Sequence, residues 1–370
     1  MISYGRHSVN DSDIDSVIGV LKSDWLTTGP KVEEFEQALE SVVGAPTISV
    51  SSGTAALHSA YAAIGVEPGD EIITPPITFI ATQATAELLG AKIVFADVLP
   101  ETANIDPRAV ENAITNRTKA IVAVDYAGHP ADLDELRIIA DKHKIFLIED
   151  AAHSLGSTYK RRPVGSIADL TTFSFFPTKN LTTGEGGAVS SIRPDLLERV
   201  RKFSRQGIIR ESKNLIHKTE GPWHQEVHEF GLNYRLPDIL CALGISQIKR
   251  LPEFKKRRRE IHDLYTDALK NISKIRTPIE KAYVDTNWHL FPVQVLKTER
   301  LGVYTKLREK GILAQVNYFP AHLHPVFESR GFKRGNFPVS EEFYDSEISL
   351  PMHFELSNRD IEFICEVLSN

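Results

Sequence analysis

Cysteine is nearly absent: Cys241 and Cys365 are the only two in 370 residues, far apart and outside any C-x-x-C spacing. That argues against a disulfide framework and a cysteine zinc site, and it fits a chain that works in a reducing cytoplasm. No apolar stretch is long enough to cross a bilayer, so no membrane partner is expected. The opening residues, Met1-Ile2-Ser3-Tyr4-Gly5-Arg6, lack the basic-then-apolar plan of a signal peptide. An excess of positive charge is missing too. Lys+Arg 43 against Asp+Glu 49 gives a net charge of −6, which speaks against a nucleic-acid partner. The one basic run, Lys255-Lys256-Arg257-Arg258-Arg259, is expected to be the solvated face of a long helix. Repeats and low-complexity tracts are absent.

What is present has the balance of a soluble globular enzyme, 42% hydrophobic and 25% charged. A chain of 370 residues exceeds one ordinary core, so two domains are expected. A large domain with an N-terminal helical segment is placed at 1–240 and a smaller α+β domain at 241–370.

Short β-branched runs alternate with helical patterns between residues 47 and 190. The strand candidates are Thr47–Val50, Glu71–Thr74, Lys92–Phe95, Ala120–Val124, Ile145–Glu149, Thr171–Phe175 and Gly187–Ser190. Helical spacing covers 54–64, 79–89, 107–115 and 132–143, and Asp106-Pro107 supplies a cap and a first-turn proline for the third. This alternation predicts a three-layer α/β/α fold around a mostly parallel seven-stranded sheet. Ligands of such sheets collect at the carboxyl ends of the strands. Two helices, 13–21 and 31–43, precede the sheet, and Pro30 opens the second. Beyond it come a helix at 193–205, a polar stretch at 207–230 read as a mobile loop, and a long helix from Pro237 to about Asn271. Strand candidates at His289–Val295 and Leu313–Asn317 and a closing helix at 358–368 complete the chain.

Chemistry-bearing residues follow the strand ends. Ser51-Ser52-Gly53-Thr54 links a strand to a helix, where free amides and hydroxyls suit a phosphate, or where Ser52 is simply an N-cap. Phe79, past the second strand, could cover a flat ring or sit in the core. The strand ending in Glu149-Asp150 puts a carboxylate at the binding edge. It could hold a protonated ring nitrogen, a ribose hydroxyl or a metal ion. His153 could stack on or bond to a ring, or be a structural histidine. Lys179, after Ser174-Phe175-Phe176-Pro177-Thr178, lies among aromatics before the glycines of Gly184-Glu185-Gly186-Gly187. Desolvation there would lower its pKa and make a nucleophilic amine; the plain alternative is a surface lysine beside a turn. A dinucleotide fingerprint is excluded, because the third glycine is misplaced and a strand follows.

With those motifs in order, the sequence resembles the DegT/DnrJ/EryC1/StrS sugar aminotransferases. The resemblance rests on Ser52-Gly53-Thr54-Ala55-Ala56-Leu57, Glu149-Asp150-Ala151-Ala152-His153, Ser174-Phe175 with Lys179, and Thr183-Gly184-Glu185-Gly186-Gly187. It runs from Leu26-Thr27-Thr28-Gly29-Pro30 to Ile348-Ser349-Leu350-Pro351. It implies the aspartate-aminotransferase fold (fold type I), pyridoxal 5'-phosphate (PLP) as cofactor and no metal. Lys179 would carry the cofactor and shuttle protons. Asp150 would pair with the pyridine nitrogen, His153 would lie near the ring, and Phe79 would stack on it. Ser52, Gly53, Thr54 and Ser174 would form the phosphate site. Asn233, in Gly231-Leu232-Asn233-Tyr234-Arg235-Leu236, would reach the phosphate of a neighbouring subunit, which implies a homodimer with shared active sites.

Within the family, Val124-Asp125-Tyr126-Ala127-Gly128, His289-Leu290-Phe291-Pro292, Gly311–Tyr318 and Glu347–Pro351 are most similar to the 4-aminotransferases of pseudaminic acid synthesis. This implies L-glutamate and a nucleotide-linked 4-keto-6-deoxy sugar as substrates, with Tyr4, Thr27, Gly29, Tyr318 and His322 as sugar-site candidates. One departure is Phe175-Phe176-Pro177, where relatives often have Phe-His-Ala. Sugar dehydratases of the same fold have histidine where this chain has Lys179, and a non-catalytic regulator would tolerate loss of Lys179 or Asp150. Both residues are kept.

Overall fold

The seven expected strands assemble into one sheet in the computed structural model, whose described residues are 1–217 and 220–369. They are β1 (Thr47–Val50), β2 (Glu71–Thr74), β3 (Lys92–Phe95), β4 (Thr118–Val124), β5 (Phe146–Asp150), β6 (Leu170–Ser174) and β7 (Gly187–Ser190). Their order across the sheet is β1-β7-β6-β5-β4-β2-β3. Pairs β2–β3, β2–β4, β4–β5 and β5–β6 are parallel, whereas β7 runs antiparallel between β1 and β6. The carboxyl ends of β1, β2, β4, β5 and β6 therefore share one edge, and the glycine start of β7 joins them there.

Period-2 alternation builds the layers. On β4, Ala120 and Val122 pack into the cluster that holds Ala56, Ala60 and Tyr61 of helix α3 (Gly53–Ala63). Ile121 and Ala123 face the opposite cluster, with Leu133, Leu136 and Ile139. Helices thus cover both faces: α3, α4 (Ala81–Leu88) and α7 (Pro194–Phe203) on one, α5 (Pro107–Ala113) and α6 (Leu133–His143) on the other. Two earlier helices, α1 (Asp11–Leu21) and α2 (Pro30–Val43), pack on α8 (Asp238–Leu269).

The C-terminal part has its own core. Three antiparallel strands, β8 (Ile275–Arg276), β9 (Phe291–Val295) and β10 (Glu347–Leu350), pair in chain order. Phe291, Val293, Ile348 and Leu350 pack with Ile261 and Tyr265 of α8, Leu307 of α9 (Arg300–Glu309), and Ile361 and Ile364 of α10 (Asn358–Ser369). The N-terminal residues lie on this part: Ile2 bridges Ile312, and Met352 donates its amide to the Tyr4 carbonyl.

Three local expectations change. Leu313–Asn317 does not form a strand, because its backbone is divided between Ile2 and a single bridge from Gln315 to Ser349. In the 207–230 stretch Ile208–Ile209 pairs with Glu226–Val227, and the Glu226 carboxylate accepts the amides of Ile216 and His217; Lys218 and Thr219 lie outside the described residues. The basic run is not simply a solvated face. Arg258 is buried with its guanidinium on the carbonyls of Trp288, His289 and Met352, and Lys255 and Arg259 are ion-paired with Asp285 and Glu280. Among the described residues no helix is long and apolar enough to cross a membrane.

Candidate active site

A cavity of about 470 Å³ opens at the shared strand edge. That is the size of a small-molecule site. Tyr4, Ser52, Gly53, Thr54, Phe79, Asp150, His153, Ser174, Lys179 and Tyr318 all line it, so ten of the fourteen sequence candidates converge.

At the end of β1 the chain turns into α3. Ser52 has extended backbone (φ −166°), and its side chain accepts from the Ala55 amide at 3.0 Å, so the N-cap reading of Ser52 holds. Capping leaves the first amides of α3 directed at the cavity, where the helix end favours an anion. Backbone crowding shapes this cradle. A Cβ on Gly187 would lie 2.4 Å from the Ser52 carbonyl oxygen, and one on Gly53 would lie 2.8 Å from Ser174 Cβ. Glycine is what lets β1, β6 and β7 meet here.

Asp150 ends β5 almost fully buried. Its Oδ2 accepts from Thr82 Oγ1 at 2.7 Å, and Thr82 is 2.9 Å from Thr78 Oγ1. Burial raises the carboxyl pKa, while Thr82, the Ala152 amide and the Lys179 charge pull it down. Lys179 follows β6 in a turn closed by its amide on the Phe176 carbonyl, 2.9 Å. Burial pushes its ammonium down to about 8, against the opposing pull of Asp150. At that value about a tenth of it is neutral, nucleophilic amine at pH 7, far more than for an ordinary lysine.

His153 is set between two rings. Its Nε2 is 3.1 Å from Tyr318 Oη, and its ring centroid is 4.3 Å from His289. Burial, with Lys179 nearby, holds the pKa values of both histidines well below the usual value, so both are neutral. Phe79 is not a core residue. It is 59% exposed in the cavity, edge-on to Tyr318 at 6.2 Å.

Four candidates are not brought into this chain's cavity. Thr27 is exposed in the loop between α1 and α2. Gly29 in the same loop donates its amide to Asp238 Oδ2 at 2.8 Å, and a Cβ there would meet Trp25 Cβ at 2.5 Å. Its smallness serves the packing of that loop. His322 is fully buried, 3.0 Å from Glu341 Oε1 and edge-on to Phe95 and Phe337. Asn233 is exposed and bridged through its backbone to Arg205, beside a Tyr234 carbonyl that accepts the Ser51 amide. Residues the sequence left unassigned also line the cavity, notably Thr78, Thr82, Thr178, His289 and Asn317. Thr82 lies one helical turn beyond Phe79, a spacing that could have marked it.

The groups present suit one kind of ligand: a flat ring with a phosphate on one side and a basic nitrogen on the other. Amides and hydroxyls at 52–54 and 174 could hold the phosphate, Phe79 one ring face, Asp150 the nitrogen, and Lys179 an aldehyde carbon. PLP has these parts. Among the described residues no group of three or more His, Cys, Asp or Glu side chains is placed to hold a metal ion.

Residues 7–369 match the profile of the DegT/DnrJ/EryC1/StrS aminotransferase family. An uncharacterized protein of Methanocaldococcus jannaschii is 40% identical over 96% of this chain and 94% of its own length. Spore coat polysaccharide biosynthesis protein SpsC of Bacillus subtilis is 38% identical over 99% of this chain and 96% of its own. The UDP-4-amino-4,6-dideoxy-N-acetyl-beta-L-altrosamine transaminase of Campylobacter jejuni is 36% identical over 100% and 96%. Among solved structures, Spr1654 of Streptococcus pneumoniae, described as a sugar aminotransferase and in its PMP form, superposes with a TM-score of 0.94 at 31% identity, covering 100% of this chain and 98% of that one. Helicobacter pylori PseC, an aminotransferase of pseudaminic acid biosynthesis, gives a TM-score of 0.92 at 32% identity over 99% and 98%. The fold, the match along nearly the whole chain and a cavity that suits PLP agree: the chain belongs to the DegT/DnrJ/EryC1/StrS family of sugar aminotransferases and takes pyridoxal 5'-phosphate as its cofactor.

Proposed function

We propose that this aminotransferase moves the amino group of L-glutamate to the C4 keto group of a nucleotide-linked 4-keto-6-deoxy sugar, with UDP-2-acetamido-2,6-dideoxy-β-L-arabino-hexos-4-ulose as acceptor. The observation that carries the chemistry is a Lys179 amine of lowered pKa, electrostatically coupled to Asp150 in a cavity at the strand edge. The acceptor is favoured by likeness to the Campylobacter transaminase and to PseC.

Bound PLP supplies an electrophilic carbon for amines and a sink for the electrons left when a proton departs. The chain does the rest. Asp150, desolvated and braced by Thr82, keeps the ring nitrogen protonated. Phe79 and His153 would flank the ring, and His153, held neutral by burial, would add no competing charge. Lys179 Nζ, freed when glutamate binds, takes the proton from the glutamate α-carbon and later delivers one to C4 of the sugar. The α3 amides with Ser52, Thr54 and Ser174 fix the phosphate, so the reacting atoms stay in register.

A homodimer in the cytoplasm is part of this reading. Asn233 is exposed, and the stretch before it exposes Phe230 (96%) and Trp223 (82%), apolar side chains a second copy could cover. Among the described residues lining the cavity, Lys179 is the one Lys or Arg, so further positive charge for the anionic substrates would come from outside this lining. A second reading, amination of a different nucleotide sugar, is favoured by the 38% identity to a spore coat polysaccharide protein. Turnover of a panel of 3- and 4-keto nucleotide sugars with glutamate, resolved by mass and NMR, decides between them. The first reading expects a 4-amino product from the UDP sugar. Turnover confined to a 3-keto or non-UDP acceptor rejects it.

A further inference from the structure

Below the cavity floor, β10 places Glu347 and Ser349 on one face, two residues apart and both fully buried. Ser349 Oγ donates to Glu347 Oε1, and Glu347 Oε2 accepts the backbone amide of Asn317 at 2.8 Å. The Asn317 carbonyl in turn accepts from Tyr126 Oη at 2.6 Å. Asn317 is thereby held on both sides of its backbone. Its side-chain Nδ2 donates to Ser349 Oγ at 3.2 Å and to Tyr4 Oη at 2.6 Å. The next residue, Gly5, lies against the lysine loop: a Cβ there would stand 3.1 Å from Thr178 Cγ2.

The polarity of this chain of bonds has a consequence. An amide nitrogen only donates, and a hydroxyl that accepts one bond keeps its own proton for another partner. We propose that Asn317 is a positioning residue for the acceptor half of the reaction: by donating to the Tyr4 hydroxyl it leaves that hydroxyl's proton directed into the cavity, as a donor to an oxygen of the keto sugar. This rests on the sugar-aminotransfer reading above. Burial pushes the Glu347 carboxyl up to about 8. With the carboxyl ionised, Ser349 Oγ donates to it and keeps a lone pair for Asn317 Nδ2, which sets the direction of the Tyr4 bond.

Asn317→Asp tests it with nearly the same shape. A carboxylate accepts, so the Tyr4 proton turns away from the cavity. In the holoenzyme the two half-reactions are followed separately, as loss of the PLP absorbance with glutamate and its return with keto sugar. For Asn317→Asp and for Tyr4→Phe, kcat/KM with keto sugar is expected to fall about tenfold further than with glutamate, the size of one hydrogen bond. Adding Asn317→Asp to Tyr4→Phe should cost nothing more, because the first acts through the hydroxyl that the second removes. Equal losses in both halves with a lowered Tm, additive losses in the double variant, or no loss at all would each overturn the role. A wild-type enzyme that accepts the amine from glutamate yet returns it to no keto sugar in the panel fails differently: it rejects the acceptor reading, and this role with it.

Discussion

Asp150 and Lys179 are poised by opposite demands on one buried volume. Desolvation raises the carboxyl and lowers the ammonium, and their mutual attraction limits both shifts. Thr82 tilts the balance toward the carboxylate through its 2.7 Å bond. Thr82→Val removes that bond and should slow the glutamate half-reaction about tenfold, with Thr82→Ser near wild type, by single-turnover absorbance. The lysine sets a pH dependence. In cofactor-free enzyme its amine is protonated below about 8 and reactive above it, so the rate of PLP loading should rise as pH passes through about 8 and then level off. A rate that keeps climbing through pH 9 with no plateau, as an exposed lysine of pKa about 10.4 would give, would contradict the burial of Lys179. The sequence marked these two residues because Asp150 ends a strand and Lys179 follows the next one, each within its own motif. It was silent on Thr82, which meets Asp150 across 68 positions, and on Asn317, which meets Tyr4 across 313. Contacts of that reach are set by packing: the spacing from Phe79 can mark Thr82 as facing the site, but no local pattern records its partner.

At the scale of elements, the sheet was readable because its strands are β-branched runs separated by helical spacing, and β4 alternates cleanly between two cores. Short pairings were not readable. Glu347–Leu350 is a four-residue strand in which two polar residues face inward, and Leu313–Asn317 has strand composition but finds only one bridge. His322 shows the same limit in the candidate site, since burial against Phe95, Phe337 and Glu341 is decided by three separate segments. The meeting of β1, β6 and β7 yields a test of the phosphate cradle. Gly187→Ala would drive a Cβ to within 2.4 Å of the Ser52 carbonyl, forcing the β1–α3 turn outward. A loss of about 2 kcal/mol in stability and weaker PLP retention are expected, measured by thermal unfolding and by dialysis of the holoenzyme. Wild-type retention in that variant would place the phosphate elsewhere.

At the scale of the whole molecule, the N-terminal residues lie on the C-terminal part, where Ile2 bridges Ile312, while Tyr4 reaches the cavity. The molecule's outer surface exposes Trp223 and Phe230, on the stretch that leads to Asn233. Replacing both aromatics with Asp should shift a dimer to monomer in light scattering and abolish turnover together, since the proposed site needs a second copy; a fully active monomer would reject the shared site. The central claim is that Lys179 carries the cofactor that performs amino transfer. Borohydride treatment of the PLP-loaded protein fixes the bond between lysine and cofactor, and peptide mass spectrometry then locates it. The account predicts the phosphopyridoxyl mass on Lys179, lost when the enzyme is first converted by glutamate; label on another lysine, or none, would contradict it.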